Sequence, residues 1–302
     1  MMFKTRLASA LALLTLAGGA LAAAPDWLNE AVSAETEATV TMRHELHAMP
    51  ELGNQEKKTQ AYIADVLRRA GVDEVHVGWK DAPTAVIGVL NPGKGHAVGL
   101  RADIDALPIK ERTGLPYASQ AKGVMWGNDV DVSHMCGHDA HMAMLLSAAK
   151  ILAAHKNEID RTVVFVFQPA EEGVRGGAAM AASGIVDNVD LLVGAHVGTF
   201  CRLGEIGICE GGFLATTKLD VHFTGVPSHA GADPEKGRSA LMAACAAAMM
   251  FQGIPRSGEG DTRISVGRLV AGEGRNVTPV HATMQLEVRG ATAAVKSEAK
   301  RS

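Results

Sequence analysis

Apolar residues recur along the first two thirds of the chain in two alternating patterns. Helical spacing of apolar positions predicts amphipathic helices over residues 25–47, 56–70 and 139–155. Short apolar runs between them predict strands, and the unbroken run at 162–167 is typical of a strand covered on both faces. The other predicted strands are residues 75–77, 84–90, 97–101 and 191–195. Strands that alternate with helices predict an α/β domain in which helices are layered on a mostly parallel sheet.

The pattern changes after residue 211, where no further doubly covered strand occurs. The predicted elements there are a half-exposed strand, a helix rich in small residues and two more strands, at residues 217–224, 238–253, 262–269 and 282–288. This order predicts a smaller α+β domain. We therefore place the larger domain at residues 25–214 and the smaller one at residues 215–302.

The first residues have the pattern of a targeting segment. Lys4 and Arg6 precede an apolar run that ends in small residues near Ala22 and Ala24. This pattern predicts a secretory signal peptide over residues 1–24, and an uncleaved anchor is the alternative. We expect an exported protein, periplasmic or secreted, with no stable membrane insertion after cleavage.

The composition is that of a folded protein without a nucleic-acid partner. Hydrophobic residues make up 47% and charged residues 21% of the 302 positions, and the net charge is -4. Lysine and arginine are scattered and form no basic stripe that could neutralise phosphates. Of the four cysteines, Cys201 and Cys209 are close enough to bridge across a hairpin, and two separate apolar thiols are an equal alternative.

Residues 133–141 combine a thiol, three imidazoles and a carboxylate, which packing does not require but a metal site does. Cys136 and His138 are two residues apart, so that in an extended stretch their side chains point the same way. The N-terminus of the following helix is expected to lower the pKa of Cys136 and favour its thiolate. His141 is expected to support the site instead of binding metal.

Three more polar clusters follow predicted strands: Asp103 with Asp105, Glu171 with Glu172, and His196. An open α/β sheet binds its ligands at this end of its strands. One of two adjacent glutamates can bind a metal while the other takes a proton from a metal-bound water. The plainer alternatives are that the aspartates cap turns and that the glutamates form a solvated pair.

Three motifs in combination are highly specific: Arg-Ala-Asp-Ile-Asp-Ala-Leu-Pro at 101–108, Cys-Gly-His-Asp-Ala-His at 136–141 and Phe-Gln-Pro-Ala-Glu-Glu-Gly at 167–173. They resemble the motifs of the dinuclear metallopeptidases and amidohydrolases, the family of carboxypeptidase G, aminoacylases, hippurate hydrolase and the auxin-conjugate hydrolases. The resemblance covers residues 43–290. Motifs at 215–218, 222–225 and 274–279 are most similar to those of p-aminobenzoyl-glutamate hydrolase subunits.

The resemblance implies two divalent metal ions, zinc or manganese, with cobalt or nickel also compatible. It implies a bridging thiolate and three terminal ligands: Cys136, His138, Glu172 and His196. Glu171 matches the general base of the family, and Asp103 and His141 are expected in the surrounding shell.

The smaller domain resembles the lid and dimerisation domain of the family. His229 matches a histidine that reaches the partner subunit's site and stabilises the oxyanion, and Asn276 and Arg289 match residues near the substrate carboxylate. The resemblance therefore implies a homodimer, or a heterodimer with a related subunit.

The implied activity is metal-dependent cleavage of the amide bond of an N-acyl or N-aroyl amino acid, such as p-aminobenzoyl-glutamate, by a metal-bound hydroxide. One alternative is a thiol hydrolase with Cys136 as nucleophile and His138 as base. The other is an inactive remnant that binds metal or a partner. The remnant hypothesis rests on the loss of resemblance after Thr292, where family members continue to a last metal-binding histidine. Both domains would then be incomplete, and residues 295–302 are expected to form a polar tail.

Overall fold

The apolar run at residues 162–167 forms the central strand of a five-stranded sheet in the computed structural model of the protein. The strands of this sheet are β1 (Glu74–Trp79), β2 (Ala82–Leu90), β3 (Ala97–Asp103), β6 (Thr162–Gln168) and β7 (Leu191–Gly194). Their order is β1-β2-β6-β3-β7. β3 pairs in parallel with β6 and β7, whereas β2 pairs antiparallel with β1 and β6. The α/β prediction is confirmed, but the sheet is mixed instead of mostly parallel.

Helices cover both faces of this sheet. They are α1 (Asp26–Ala48), α2 (Lys57–Arg69), α3 (His138–Ala154) and α4 (Gly176–Ala182), with a 3₁₀ turn at Lys156–Glu158. On one face, the apolar stripes of α1, α2 and α3 pack around the fully buried rings of Phe165 and Phe167. On the other face, Met180 of α4 packs against Val164 and Val166. The doubly covered strand predicted from the sequence is confirmed.

The edge strand β7 differs from its prediction. Its sequence is apolar, and we expected a buried strand, but all four of its residues are exposed. Among the described residues, β7 pairs with β3 alone, so it has a neighbouring strand on one side. Apolar sequence therefore predicted the strand correctly but not its burial.

A two-stranded hairpin follows β3, formed by β4 (Lys122–Met125) and β5 (Asn128–Asp131), and no sequence pattern predicted it. Its inner side packs on a small cluster that contains Leu52, Ala106 and Val132. Gly123 packs closely there, because a Cβ atom would lie 3.0 Å from both Leu52 and Val132 side chains, which would have to shift slightly.

The second unit contains an antiparallel sheet of order β8-β10-β9 and two helices. These elements are β8 (Ala215–Thr224), α5 (Ala240–Gln252), β9 (Thr262–Ala271), β10 (His281–Gly290) and α6 (Ala293–Arg301), with a 3₁₀ turn at Pro234–Lys236. The expected polar tail is wrong, because Val295 and Ala299, four residues apart, are buried on one side of α6.

The structure describes residues 24–173, 176–199, 201–208 and 211–301. Residues 1–23 of the expected signal peptide and Cys209 lie outside this part, while Cys201 is a free cysteine. Over the described part, no helix combines the length and the apolar character needed to cross a bilayer. The chain divides into two compact units, Met1–Arg202 and Leu203–Ser302, so the boundary falls earlier than the one expected at 214.

Candidate metal centre

Four segments of the first unit bring metal-binding side chains together. They are the end of β3, the start of α3, the turn after β6 and the segment after β7. The side-chain donors form two overlapping groups, each with its ligand atoms within 4.8 Å of one another. One group is Cys136, His138 and Glu172, and the other is Asp103, His138, His141 and His196.

His138 belongs to both groups, and its hydrogen bonds orient it. Its Nδ1 lies 2.8 Å from the backbone carbonyl oxygen of Asp105. Because a carbonyl can only accept, Nδ1 carries the proton and Nε2 keeps its lone pair. That Nε2 is buried without a hydrogen-bond partner, and so is Glu172 Oε1, 3.9 Å away. Burial lowers the pKa of His138, but the Asp105 and Asp103 carboxylates outweigh burial and raise it.

His196 is oriented in the same way as His138. Its Nδ1 donates a 2.6 Å hydrogen bond to the carbonyl oxygen of Val197, so Nε2 carries no proton and keeps its lone pair. This Nε2 lies 3.4 Å from Cys136 Sγ. Two imidazole nitrogens and a thiol sulfur thus present lone pairs to the same small volume.

The expectation of a lowered pKa for Cys136 is wrong. Burial, followed by the negative charges of Glu172 and Glu171, raises the pKa of the thiol to about 12. The helix N-terminus does not compensate for these carboxylates. A thiolate at this position therefore needs additional positive charge, which a bound cation supplies.

His141 makes two hydrogen bonds that use both ring nitrogens. Its Nδ1 donates to Asp103 Oδ1 at 2.5 Å, and its Nε2 accepts from the backbone amide of Val197 at 2.8 Å. Burial would raise the pKa of Asp103, but the His141 hydrogen bond and the charges of His138 and Arg101 hold it well below its usual range. Both residues therefore already have partners within the protein. They lie beside Cys136, His138, Glu172 and His196, which together form the donor cluster.

Gly137 determines how Cys136 and His138 meet. We expected an extended stretch, but His138 begins α3 and Gly137 precedes it with a left-handed φ of 86°. A Cβ atom on Gly137 would lie 2.4 Å from Val197 Cγ2. Glycine is required for both reasons, since the backbone is left-handed and a neighbouring side chain is in close contact.

Glu171 and Glu172 follow a residue with unusual backbone geometry. Ala170 is fully buried and has a positive φ of 54°. Its amide donates to Glu56 Oε1 at 2.9 Å, and Thr84 donates to the other oxygen of this buried carboxylate at 2.6 Å. Burial raises the pKa of Glu56. Sequence reasoning missed Glu56, because a glutamate at the start of a helix carries no signal of a buried role.

The turn separates the two glutamates. Glu171 is exposed, whereas Glu172 is partly buried and its amide donates to Asp105 Oδ2 at 2.9 Å. Burial raises the pKa of Glu172. One glutamate therefore belongs to the donor cluster, and its neighbour faces solvent.

A second buried network lies behind the start of α3. His47 Nδ1 lies 2.8 Å from Asp139 Oδ2, its Nε2 lies 3.1 Å from Glu111 Oε1, and Arg43 binds Asp139 at 3.0 Å. The Asp139 hydrogen bond, opposed by burial and reinforced by Glu111, raises the pKa of His47. His134 is buried nearby, and burial lowers its pKa to about 4.

Three of the predicted site residues lie in the second unit. The amide of Ala230, next to His229, donates to the carbonyl oxygen of Asn276 at 3.0 Å. The His229 ring is exposed and its Nδ1 accepts from two backbone amides at 3.1 Å each, so Nε2 carries the proton. Arg289 pairs with Glu287 near the far end of β10, and the structure does not bring it next to Asn276.

The donor cluster fits divalent cations. Its thiol, imidazole and carboxylate donors are those that zinc and related metals take in proteins. The buried, unpartnered Nε2 of His138 and Oε1 of Glu172 are atoms that a cation would satisfy. Imidazole and carboxylate donors hold the metal of metal-dependent hydrolases, and open α/β sheets bind their ligands at this end of the strands. The chain belongs to peptidase family M20/M25/M40, whose model matches residues 99–298. The family match thus extends beyond Thr292, where we expected the resemblance to end.

Relatives of this chain include proteins that are named as hydrolases. It is 36% identical to a p-aminobenzoyl-glutamate hydrolase subunit homolog from Haemophilus influenzae, with 85% of this chain and 69% of that protein covered. It is 40% identical to the indole-3-acetyl-aspartic acid hydrolase of Enterobacter agglomerans, with 69% and 48% covered. A dinuclear metal-binding M20 peptidase from Bacillus subtilis superposes with a TM-score of 0.63 at 29% identity, with 88% and 67% covered.

Proposed function

We propose that the protein is a metal-dependent amidohydrolase that cleaves the amide bond of N-acyl or N-aroyl amino acids. One observation carries the proposal. The buried and unpartnered atoms His138 Nε2 and Glu172 Oε1 face each other at 3.9 Å, beside Cys136 and His196. Relatives named for p-aminobenzoyl-glutamate and indole-3-acetyl-aspartic acid support the substrate class.

The proposal gives each residue of the cluster a role. Two divalent ions, zinc or manganese with cobalt or nickel as substitutes, would be held by Cys136, His138, Glu172 and His196. When bound, such ions polarise the amide carbonyl and lower the pKa of a water molecule. Glu171, which is exposed beside the cluster, accepts the proton of the attacking water and passes it to the leaving amine.

Asp103 and His141 hold the geometry of this cluster, because each already has a hydrogen-bond partner within the protein. For the second unit, we propose that His229 stabilises the oxyanion and that Asn276 binds the substrate carboxylate; Arg289, which pairs with Glu287 away from Asn276, is not assigned to the same carboxylate. A second subunit, identical or related, would join through this unit. We also propose that the protein is exported.

A direct test uses the full chain loaded with zinc or manganese and 4-aminobenzoyl-glutamate as substrate. Glu171→Gln is expected to lower kcat by at least about a hundredfold, the usual contribution of a general base, while the bound metal content stays unchanged. Glu235→Gln, which changes an exposed carboxylate of the second unit, is the matched control and keeps its activity. Full activity of Glu171→Gln would contradict the proposal.

Two other outcomes separate the alternatives. Activity that survives exhaustive chelation but is lost on thiol alkylation would indicate a thiol hydrolase, which the raised pKa of Cys136 disfavours. Metal binding without turnover of any N-acyl amino acid would indicate an inactive remnant.

A further inference from the structure

The larger of the two donor groups contains a carboxylate that already has partners within the protein. Its members, whose ligand atoms lie close enough together for one ion, are Asp103, His138, His141 and His196. Asp103 Oδ2 lies 3.6 Å from His138 Nε2, an atom that is buried without a hydrogen-bond partner. By distance alone, Asp103 would therefore belong among the metal ligands.

Arg101 engages the oxygen of Asp103 that lies toward His138. Its Nη1 donates to Asp103 Oδ2 at 2.7 Å, and His141 Nδ1 donates to Oδ1 at 2.5 Å. The Asp103 side chain is 1% exposed and that of Arg101 21%, so water competes little for this ion pair. The guanidinium also places a positive charge beside Oδ2, which opposes the approach of a cation to that oxygen.

The sheet fixes Arg101 in this position. Arg101 and Asp103 are two residues apart on β3, so their side chains lie on the same face of the strand. β3 has a neighbouring strand on both sides, and Asp103 lies directly opposite Gln168 of β6. Gln168 Oε1 accepts from Arg101 Nε at 3.0 Å and from Nη2 at 2.7 Å. One planar guanidinium therefore directs three N–H groups at two acceptors, a geometry that lysine does not reproduce.

Engagement of Asp103 changes the chemistry that the centre offers to a cation. Without Asp103, the donor cluster supplies one thiolate, two imidazoles and one carboxylate. Thiolate and imidazole ligands suit zinc, whereas carboxylate oxygens suit manganese. A second carboxylate would add a hard oxygen ligand, which favours manganese relative to zinc.

We propose that Arg101 is a positioning residue that withholds the Asp103 carboxylate from the metal and thereby shifts the preference of the centre from manganese toward zinc. The inference rests on the proposed metal centre and not on amide hydrolysis. Arg101 acts on the metal through Asp103, and its hydrogen bonds to Gln168 hold the guanidinium in place.

The test measures the dissociation constants of zinc and manganese for the metal-free full chain by calorimetric titration. Arg101→Met removes the charge and the three donors, so Asp103 Oδ2 becomes free to bind a cation. We expect the ratio of manganese to zinc affinity to rise about tenfold, the scale on which a partner around a metal site changes affinity. Arg101→Lys keeps a positive charge beside Asp103 and is expected to stay close to the wild-type ratio. Arg69→Met, which removes an exposed arginine from its pair with Asp65, is the matched control and leaves the ratio unchanged.

A substitution of Asp103 separates withholding from a structural effect. Asp103→Asn keeps an acceptor for His141 and removes the negative charge. Alone it should leave the ratio unchanged, and combined with Arg101→Met it should abolish the rise. Loss of affinity for both metals in Arg101→Met, without a rise of the ratio, would overturn the proposal. A lower ratio in Asp103→Asn alone would overturn it too, because Asp103 would then bind metal while it is paired with Arg101.

These titrations need no turnover, so they distinguish the inference from the proposed function. The expected shift in a chain that hydrolyses no N-acyl amino acid would support the inference and contradict the hydrolase. Hydrolysis by the wild type, with the same metal ratio in Arg101→Met, would overturn the inference and leave the hydrolase standing. A wild-type chain that binds neither ion would overturn both.

Discussion

The backbone amide of Ala170 donates a 2.9 Å hydrogen bond to the buried carboxylate of Glu56, 114 residues earlier in the chain. This bond fixes a residue with positive φ directly before Glu171 and Glu172. The geometry of the glutamate turn therefore depends on Glu56, the residue directly before α2.

Replacement of Glu56 should loosen this turn. Glu56→Ala leaves the Ala170 amide and the Thr84 hydroxyl buried without partners, and we expect a loss of about 1–3 kcal/mol in the free energy of unfolding. We also expect zinc affinity to fall by about tenfold or more, because Glu172 loses its support. Glu56→Gln keeps an acceptor for Ala170 and should show less than half of both effects. Denaturant unfolding and competitive zinc titration measure them, and equal losses in the two variants would contradict this account.

Gly137→Ala tests the close approach at the start of α3. The new methyl group would lie 2.4 Å from Val197, so we expect an overpacking cost of about 1–3 kcal/mol beyond the cost of the left-handed backbone. Gly114→Ala is the matched control, because Gly114 has a φ of 71° with nothing within 4 Å. Gly137→Ala should therefore lose clearly more unfolding free energy than Gly114→Ala. Val197→Ala combined with Gly137→Ala should recover part of the difference.

Zinc should stabilise the protein through Cys136. With free zinc at a hundred times its dissociation constant, the free energy of unfolding rises by about 2.7 kcal/mol. This increase is measured as a rise in melting temperature. Cys136→Ser should lose most of this rise. Cys201→Ser changes another free thiol, one that lies outside the donor cluster, and should retain the rise in full. A zinc response that is identical in both serine variants would exclude Cys136 as a ligand.

The His47 network predicts a pH dependence of stability. Asp139 raises the pKa of His47 above its ordinary 6.5. The contribution of protonated His47 to folding stability is therefore complete below pH 6.5 and is lost as pH rises through the folded-state pKa. Burial opposes ionisation of Asp139, but hydrogen bonding to His47 lowers its pKa overall, so the partner stays charged in this range. The stability difference between wild type and His47→Gln should therefore be larger at about pH 6 than at about pH 9.

His76→Gln is the control for this pH series. His76 pairs with Glu74 at the surface, and its side chain is 54% exposed. Its stability difference should change little with pH, because solvent screens an exposed pair. A His47→Gln difference that is as flat as that of His76→Gln would show that the network does not depend on protonation.

The order of apolar and polar residues along the chain was sufficient to predict most helices and strands, and the motifs were sufficient to predict the candidate metal-donor residues. The unbroken run of β6 and the stripe of α3 fixed their own boundaries to within one residue. Cys136, His138, Glu172 and His196 are grouped in space as the motifs indicated. Their roles as ligands stay a prediction that the zinc experiments test.

What the sequence could not give depends on contacts between distant residues. The pKa of Cys136 is set by carboxylates from the turn after β6, and Glu56 acquires its role only when α2 and that turn meet. The β4–β5 hairpin was missed because its strands are four residues long and only weakly alternating. β7 was judged buried from its apolar side chains, although burial depends on what lies beside a strand.

The exposed edge strand β7 has a mechanical consequence for the centre. Two residues after β7 ends comes His196, whose Nε2 lies 3.4 Å from Cys136, 60 residues away in sequence. A cation held by both side chains would act as a removable cross-link. Closing a loop of this length lowers the entropy of the unfolded chain, which stabilises the folded state by about 4 kcal/mol. Fraying of β7 and release of the cation would then be one event. Amide exchange at Leu191–Gly194 should accordingly report metal occupancy more sensitively than exchange anywhere in the buried strand β6.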